Sequence, residues 1–536
     1  MKIEDKNKAS KSNRKNNSGN ISAELHKQLH QNYLKSIFLG VFALLFLFIV
    51  YKNHFNNPFE LDDSHTIANN SAIRELNIPL FFKDARTFST LPANQAYRPG
   101  LTTLNAIDYK IWSETPGESP LPKWFHISTF LTYCLLCIAL YFFYSYFFRY
   151  AFPDSPWTPY FSLLAAAFFA FHTANAETVN YIIQRAEIYS TLAVVLAFLI
   201  FIHVKQRSFH LFLIPIALGF FIKEPVIMFA PLVFAFVFLF EENATLKTSD
   251  ILSVKLRRPF TYSILGVVLG LFLFSFAKKQ TPETWTSGAG DISAFWYLIT
   301  NFYSVMHYVF NFILPFNLAV DTDQTIVNSL SDIKIIGGVL LIALMLFSAY
   351  SFSLKKETRP AAFGILWFFI TLIPTSTIFP FAEPLNDHRP FFGYIGLTLT
   401  TVNLFALLLI KRNEFNLTRN KPLELLIAVP IILITLYGFG TIKRNEVWGS
   451  EETLWKDASE KCPKSGRIWM NYGLTLMRRG DYQGASDAFT KAKEFSPYYS
   501  YLYINFGILK NVMGKDRKST RLNSSHIPLS RMPSSA

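Results

Sequence analysis

Twelve apolar runs, nearly free of ionic residues, dominate this chain and restrict what it can become. The first, Ser36–Tyr51, contains IFLGVFALLFLFIV, and others lie near 124–148, 158–171, 187–204, 209–222, 225–240, 260–277, 295–314, 333–353, 361–380, 391–410 and 422–440. A bilayer core takes about 20 helical residues to cross, and its dryness makes each crossing segment satisfy its own backbone. The runs therefore predict an all-α polytopic membrane protein. Composition agrees: charged residues are 16% of the 536, against about 25% in a soluble domain. An ordinary cytosolic enzyme is excluded.

The net charge of +14 suggests nucleic acid until its location is read. Residues 1–35 hold eight Lys/Arg against three acids, and 515–536 hold five against one. What remains forms no basic face, so nucleic acid is no partner. Three cysteines exclude a disulfide framework, and Cys134 and Cys137 inside an apolar run read as small hydrophobes. No small-residue cleavage site follows the first run, so it reads as a span rather than a signal peptide.

Loop charge sets the topology. With the N-terminus cytoplasmic, Arg149, Lys205/Arg207 and Lys247/Lys255/Arg257/Arg258 fall inside, as the positive-inside rule requires. Lys355/Lys356/Arg359 and Lys411/Arg412/Arg419/Lys421 also fall inside if 295–314, which carries Asn301, His307 and Asn311, lies at the interface instead of spanning. This gives 11 spans. The expected organisation is a basic disordered cytoplasmic segment at 1–35, a membrane domain at 36–440 with a large outer loop at 52–123, and a soluble outer segment from 441.

That soluble segment, 441–514, carries a 34-residue period. Trp469, Gly473, Gly480, Tyr482, Ala485, Phe489, Ala492 and Pro497 fall at tetratricopeptide (TPR) positions, and Tyr503, Gly507 and Gly514 repeat the register. Trp455, Ala458 and Pro463 stand one period earlier than Phe489, Ala492 and Pro497. The array breaks off mid-unit, and 515–536 is neither helical in pattern nor apolar. The tail is expected to be non-native and the repeats truncated.

Ionic residues at membrane depth are functional candidates by default, and here they cluster at the outer ends of spans. Asp62 and Asp63, in FELDDSHTIANN, suit a general base, a divalent-metal site or a partner for lysine, and equally a helix cap. His172, Glu177, Arg185 and Glu187 follow in FHTANAETVNYIIQRAEIYS; on one continuous helix Glu177 and Arg185 would share a face. Arg185 suits a phosphate, or an ion pair tying the loop together. Lys223 and Glu224 neutralise each other or leave Lys223 facing an anionic headgroup. Glu383, just before Pro384, and Asp387, His388 and Arg389, between Pro384 and Pro390, offer a titratable imidazole and a second phosphate ligand. Arg98, in Tyr97-Arg98-Pro99, adds a cation. No Walker A, HExxH or GxSxG sequence offers another enzyme class. Acidic, basic and His groups on one face suggest work on a lipid-linked anionic substrate there.

The succession DD, YRP, H–E–QRAE, KE, Pro315-Phe316-Asn317-Leu318 with Asp321, and NDHR resembles the TPR-bearing membrane glycosyltransferases. That family includes the animal transmembrane TPR O-mannosyltransferases and their bacterial relatives, and the resemblance spans about 36–514. It implies a GT-C transmembrane core of about 11 helices followed by a truncated TPR α-solenoid. It also implies transfer of a hexose, mannose first, from a polyprenyl-phosphate sugar to Ser/Thr of proteins on the non-cytoplasmic side, with inversion. By the resemblance Asp62 and Asp63 are the acidic pair, and Arg98, Glu177, Arg185, Lys223 and Glu224 are the other outer polar positions. Asn386-Asp387-His388-Arg389 resembles the bacterial form, where animal members carry a Glu-Arg motif, which implies a bacterial inner membrane. The TPR segment would engage acceptor protein outside the cytoplasm. A lipid or glycan acceptor, and a non-catalytic TPR scaffold, stay as alternatives.

Overall fold

A computed structural model describes residues 27–113, 118–204, 206–251, 256–283, 292–376, 380–414 and 422–514. The expectations for 1–26, for the tail 515–536 and for Lys205, Lys255, Arg419 and Lys421 lie outside the described residues. Helix α1 (Lys27–Val50) leads into a folded loop that holds α2 (Ile78–Lys83) and α3 (Pro99–Trp112). Next come α4 (Pro122–Ala151), α5 (Thr158–Phe171), α6 (Ala176–Asn180), α7 (Arg185–His203), α8 (Leu213–Phe220), α9 (Phe229–Phe236) and α10 (Thr248–Ile251). The bundle continues with α11 (Arg257–Gln280), α12 (Ala294–Ile313), α13 (Ile333–Ser353), α14 (Arg359–Leu372), α15 (Phe391–Glu414) and α16 (Pro422–Val447). Four amphipathic helices follow, α17 (Glu451–Lys461), α18 (Gly466–Arg479), α19 (Tyr482–Phe495) and α20 (Ser500–Val512). Among the described residues there is no strand.

Seven helical segments among them are long and apolar enough to cross a membrane: α1, α4, 182–203, 224–241, α11, α13 and 391–411. The other apolar runs give shorter or more polar helices, and proline accounts for much of this. Pro215 sits in the first turn of α8, Pro360 starts α14, and Pro374 follows its end. In 224–241 the winding passes from 3₁₀, at Pro225, through α, at Pro231, to a wide π turn at Val237–Glu241. The last bundle helix runs beyond the apolar run that defines it, to Val447, because Arg444 and Asn445 find polar partners there.

Two ends of the bundle can be told apart by their contacts. At one end, the loop end, Asn445 donates to Val50 O, His126 meets Asn57 O, Thr441 donates to Phe171 O, and Gly100 N–H donates to Phe221 O. At the opposite end Arg207 pairs with Glu241, Arg258 with Glu241 and Glu242, and Arg359 bonds Tyr150 and Asn243. Apart from the short α2, α3, α6 and α10, which each stay at one end, the helices from α1 through α16 carry the chain from one end to the other, with α12 the exception. Tyr297, near the start of α12, donates to Thr375 O, and Asn311, near its end, donates to Asp387. Both partners belong to the loop end, so α12 runs across that end. Cysteines placed at the exposed Glu283 and Asn317, which flank α12, should therefore label from the same side of a sealed vesicle. Labelling from opposite sides would make α12 a span.

The interior is aromatic and closely packed. Where α14 crosses α15, a Cβ on either Gly364 or Gly396 would collide with the other's carbonyl oxygen, so only glycine permits this approach. In the C-terminal segment Gly473 lies against the Phe489 ring, Ala485, Ala488 and Ala492 are buried, and Gly480 at φ +86° ends α18 in the left-handed conformation. These are positions the 34-residue period marks, and the helices pair as a TPR-like solenoid. The solenoid does not hang from a tether. Trp448, Leu454, Trp455, Ala458 and Ile468 share one apolar cluster with Phe88, Leu101, Tyr181 and Ile183 of the loop end.

Candidate active site

Residues 176–187 form the spine of the loop end. The chain turns extended at Tyr181, between α6 and α7, so Glu177 and Arg185 do not share a helical face as a continuous helix would have them. Each residue of the spine instead serves a different partner. Glu177 bonds His388 Nδ1 at 2.9 Å and faces Arg444 at 3.7 Å. Asn180 contacts His54, Asn57 and Asn445. Tyr181 Oη accepts from the Asp62 amide, Gln184 accepts from Lys223 at 3.0 Å, and Glu187 pairs with Lys223 at 2.7 Å.

The two adjacent carboxylates do different work. Asp63 accepts backbone N–H donors from Ile183 at 2.8 Å, Glu60 at 3.2 Å and Ile182 at 3.4 Å, and so ties the first loop to the spine. Asp62 instead meets an imidazole, with its Oδ1 3.2 Å from His65 Nε2. Among the described residues no three His, Cys, Asp or Glu side chains gather as a metal site needs. Among those residues the donor set does not fit a divalent ion.

Burial pushes the Asp63 carboxyl up to about 7, against the three N–H donors, which favour the anion. A carboxyl raised in the folded state contributes stability that is full below its ordinary 3.8 and is lost as pH rises through 7. Thermal stability in detergent should therefore fall more steeply from about pH 4 to about pH 8 in the wild type than in Asp63→Asn. Parallel curves would refute this.

The cations separate as well. Arg185 is fully buried, bonded to Asp108 and Asn105 of α3 and lying over the Phe125 ring, so it is committed to holding the first loop. Arg98 faces Glu224 at 3.4 Å, beside Lys223. Burial pushes the Lys223 ammonium down, with Glu187 opposing and Arg98 adding to the fall. Arg389 is half-buried over the Phe381 ring, with Nη1 buried and lacking a hydrogen bond. His172 is not brought to this cluster. It stacks on Phe312, bonds Phe312 O at 2.8 Å, and burial pushes its pKa down to about 4, which keeps it a neutral packing residue.

Around Asp387 the structure gathers members that carried no signal in the sequence: Arg444, Asp457, Lys461 and Arg467. Asp387 accepts from His307 at 2.7 Å, from Asn311 and from the Ala319 amide. Burial pushes its carboxyl up, but His307, the Ala319 amide and the Arg444 guanidinium outweigh it and hold the net pKa low. Arg444 reaches Asp457 of α17 at 2.8 Å, Lys461 donates to Leu318 O, and Arg467 of α18 clamps Asp321 and Glu383. Helices α17 and α18 are thus wired into the loops at 314–323 and 380–390.

No protein-family model and no solved structure matches the chain. Curated relatives do. The chain aligns over 461 residues, at 22% identity, with Protein O-mannosyl-transferase F38B6.6 of Caenorhabditis elegans, across 84% of its own length and 62% of that protein. It aligns at 23% identity over 263 residues with Protein O-mannosyl-transferase TMTC1 of Mus musculus, across 46% of this chain and 26% of that one. The chain is similar to protein O-mannosyl-transferases. It spans about three-fifths of the worm relative and about a quarter of the mouse one.

Proposed function

We propose that this chain is a membrane glycosyltransferase that moves a hexose, mannose first, from a polyprenyl phosphate to Ser/Thr of acceptor proteins. The observation that carries the proposal is the gathering of Asp62–His65, Arg98, Lys223 and the Glu177–His388–Arg444 network at one end of an apolar bundle. The printed names of the relatives supply the sugar and the protein acceptor. The loop end faces away from the cytoplasm in this reading, since Arg207, Arg258 and Arg359 sit at the opposite end. Asn386–Arg389, which resembles the bacterial form, supports a bacterial inner membrane.

In one displacement the acceptor hydroxyl oxygen bonds to the sugar's anomeric carbon as the bond from that carbon to the phosphate oxygen breaks. Configuration inverts. Asp62 takes the hydroxyl proton. The polyprenyl phosphate leaves with one more negative charge, which Lys223, Arg98 and Arg389 compensate. Arg185, bonded to Asp108 and Asn105, holds the loop that carries the base. The TPR-like solenoid presents acceptor protein.

Membranes containing the protein and radiolabelled polyprenyl-phosphate mannose test this. Label should enter the protein fraction, and Asp62→Asn should abolish the signal. Label in lipid or glycan would reassign the acceptor. Transfer that persists in Asp62→Asn would remove the base.

A further inference from the structure

We infer that His65 and Ser89 are positioning residues for Asp62, forming a buried relay that fixes how its carboxylate is presented to the acceptor hydroxyl. The inference rests on the transferase reading above. It begins with the backbone. Leu61 sits at φ +51°, and the chain then winds through a wide turn, Ser64–Ala68, in which the amides of His65 and Thr66 both donate to Asp62 O. That turn brings the His65 side chain over Asp62, three residues back.

The imidazole is held on both sides. Its Nε2 lies 3.2 Å from Asp62 Oδ1 and its Nδ1 lies 2.9 Å from Ser89 Oγ. Ser89 is itself fixed: the Leu91 amide donates to Oγ at 3.0 Å, and Gln95 donates to Ser89 O at 3.1 Å. The Thr90 amide donates to His65 O at 3.1 Å, closing one loop segment on the other. All three side chains are buried, Ser89 completely. A buried polar chain of this kind persists only when each member is satisfied.

The hydroxyl of Ser89 has two acceptors within reach, His65 Nδ1 and Leu91 O, the latter at 3.2 Å. Donating to Nδ1 fixes neutral His65 with its proton on Nε2. Turned to Leu91 O, it lets an imidazolium carry its second proton on Nδ1 and donate that to Oγ. In either state Nε2–H points at Asp62 Oδ1. The relay thus keeps an N–H on Oδ1 in both states and fixes the orientation in which the carboxylate meets the acceptor hydroxyl. A ring nitrogen set by the bond its other nitrogen makes is the usual way a histidine is oriented.

The test measures donor kinetics and thermal melting on His65→Ala, His65→Gln, Ser89→Ala, His65→Ala/Ser89→Ala, Asp62→Asn and Asp62→Asn/His65→Ala. His65→Ala should lower kcat about 10- to 100-fold, with the donor KM changed less than about twofold. His65→Gln, which retains an N–H donor, should recover most of the loss. Ser89→Ala should cost a few-fold alone and nothing on top of His65→Ala, and His65→Ala should add nothing to Asp62→Asn. Losses that add, or that track the melting temperature, would make His65 merely structural and overturn the inference. An inactive Asp62→Asn beside a fully active His65→Ala would overturn the inference and leave the transferase reading standing. A fully active Asp62→Asn, or a wild type that transfers no sugar, would overturn both.

Discussion

Asp62→Asn should lower transfer by about 10²- to 10⁴-fold, the range a general base contributes, and leave the fold intact. The amide is isosteric with the carboxylate and its oxygen can still meet His65 Nε2, so the contact at 3.2 Å survives while the proton acceptor is lost. The neighbouring substitution should behave in the opposite way. Asp63→Ala strips acceptors from three backbone N–H groups, those of Glu60, Ile182 and Ile183, in a fully buried setting. A buried donor left unsatisfied costs about 1–3 kcal/mol, so Asp63→Ala should lose folded protein before it loses turnover. Rates normalised to folded protein, beside melting curves, separate the two. Equal turnover losses at equal stability would mean that the carboxylates act as one unit.

The helical bundle was legible because apolar runs and prolines are local signals. The runs became helices, and where they were cut short the breaker stands in the sequence, as at Pro215 and Pro374. The solenoid was legible for the same reason: Gly473 against Phe489 is a contact within one repeat. The candidate site was legible only in part. Its residue types and its end of the bundle follow from spans and loop charge, but partners at long sequence separation do not. In the sequence Arg185 suits a phosphate or a loop-tying ion pair; its partner Asp108 lies 77 residues away and selects the second. Arg467 lies 146 residues from Asp321, and no periodicity links them. His65 is different. An Asp and a His three apart were in plain view in DDSH, and only the turn beginning at Leu61 gives them a shared face.

Arg467→Met should cost about 3–5 kcal/mol, the penalty for stripping one partner from a buried ion pair. Arg467 belongs to α18, yet its guanidinium lies between Asp321 and Glu383, both almost wholly buried in the loop end. Burial pushes the Asp321 carboxyl up while Arg467 pulls it down, so without the cation the carboxyl rises further. The sign of the pH effect follows: the deficit is largest at neutral and alkaline pH, where both carboxylates must be charged, and shrinks as acid protonates them. Arg478 supplies an internal control on the same helix. Its pair with Glu451 is partly exposed, and such pairs are worth about 0–1 kcal/mol, so Arg478→Met should be nearly silent. Arg467→Lys should fall between, since an ammonium cannot span two carboxylates with a planar fork. Melting in detergent and protease resistance of α17–α20 read these differences. If Arg467→Met proves as mild as Arg478→Met, the solenoid is held by Trp448, Trp455 and their apolar neighbours. The ionic clamp would then serve only to align the loops at 314–323 and 380–390.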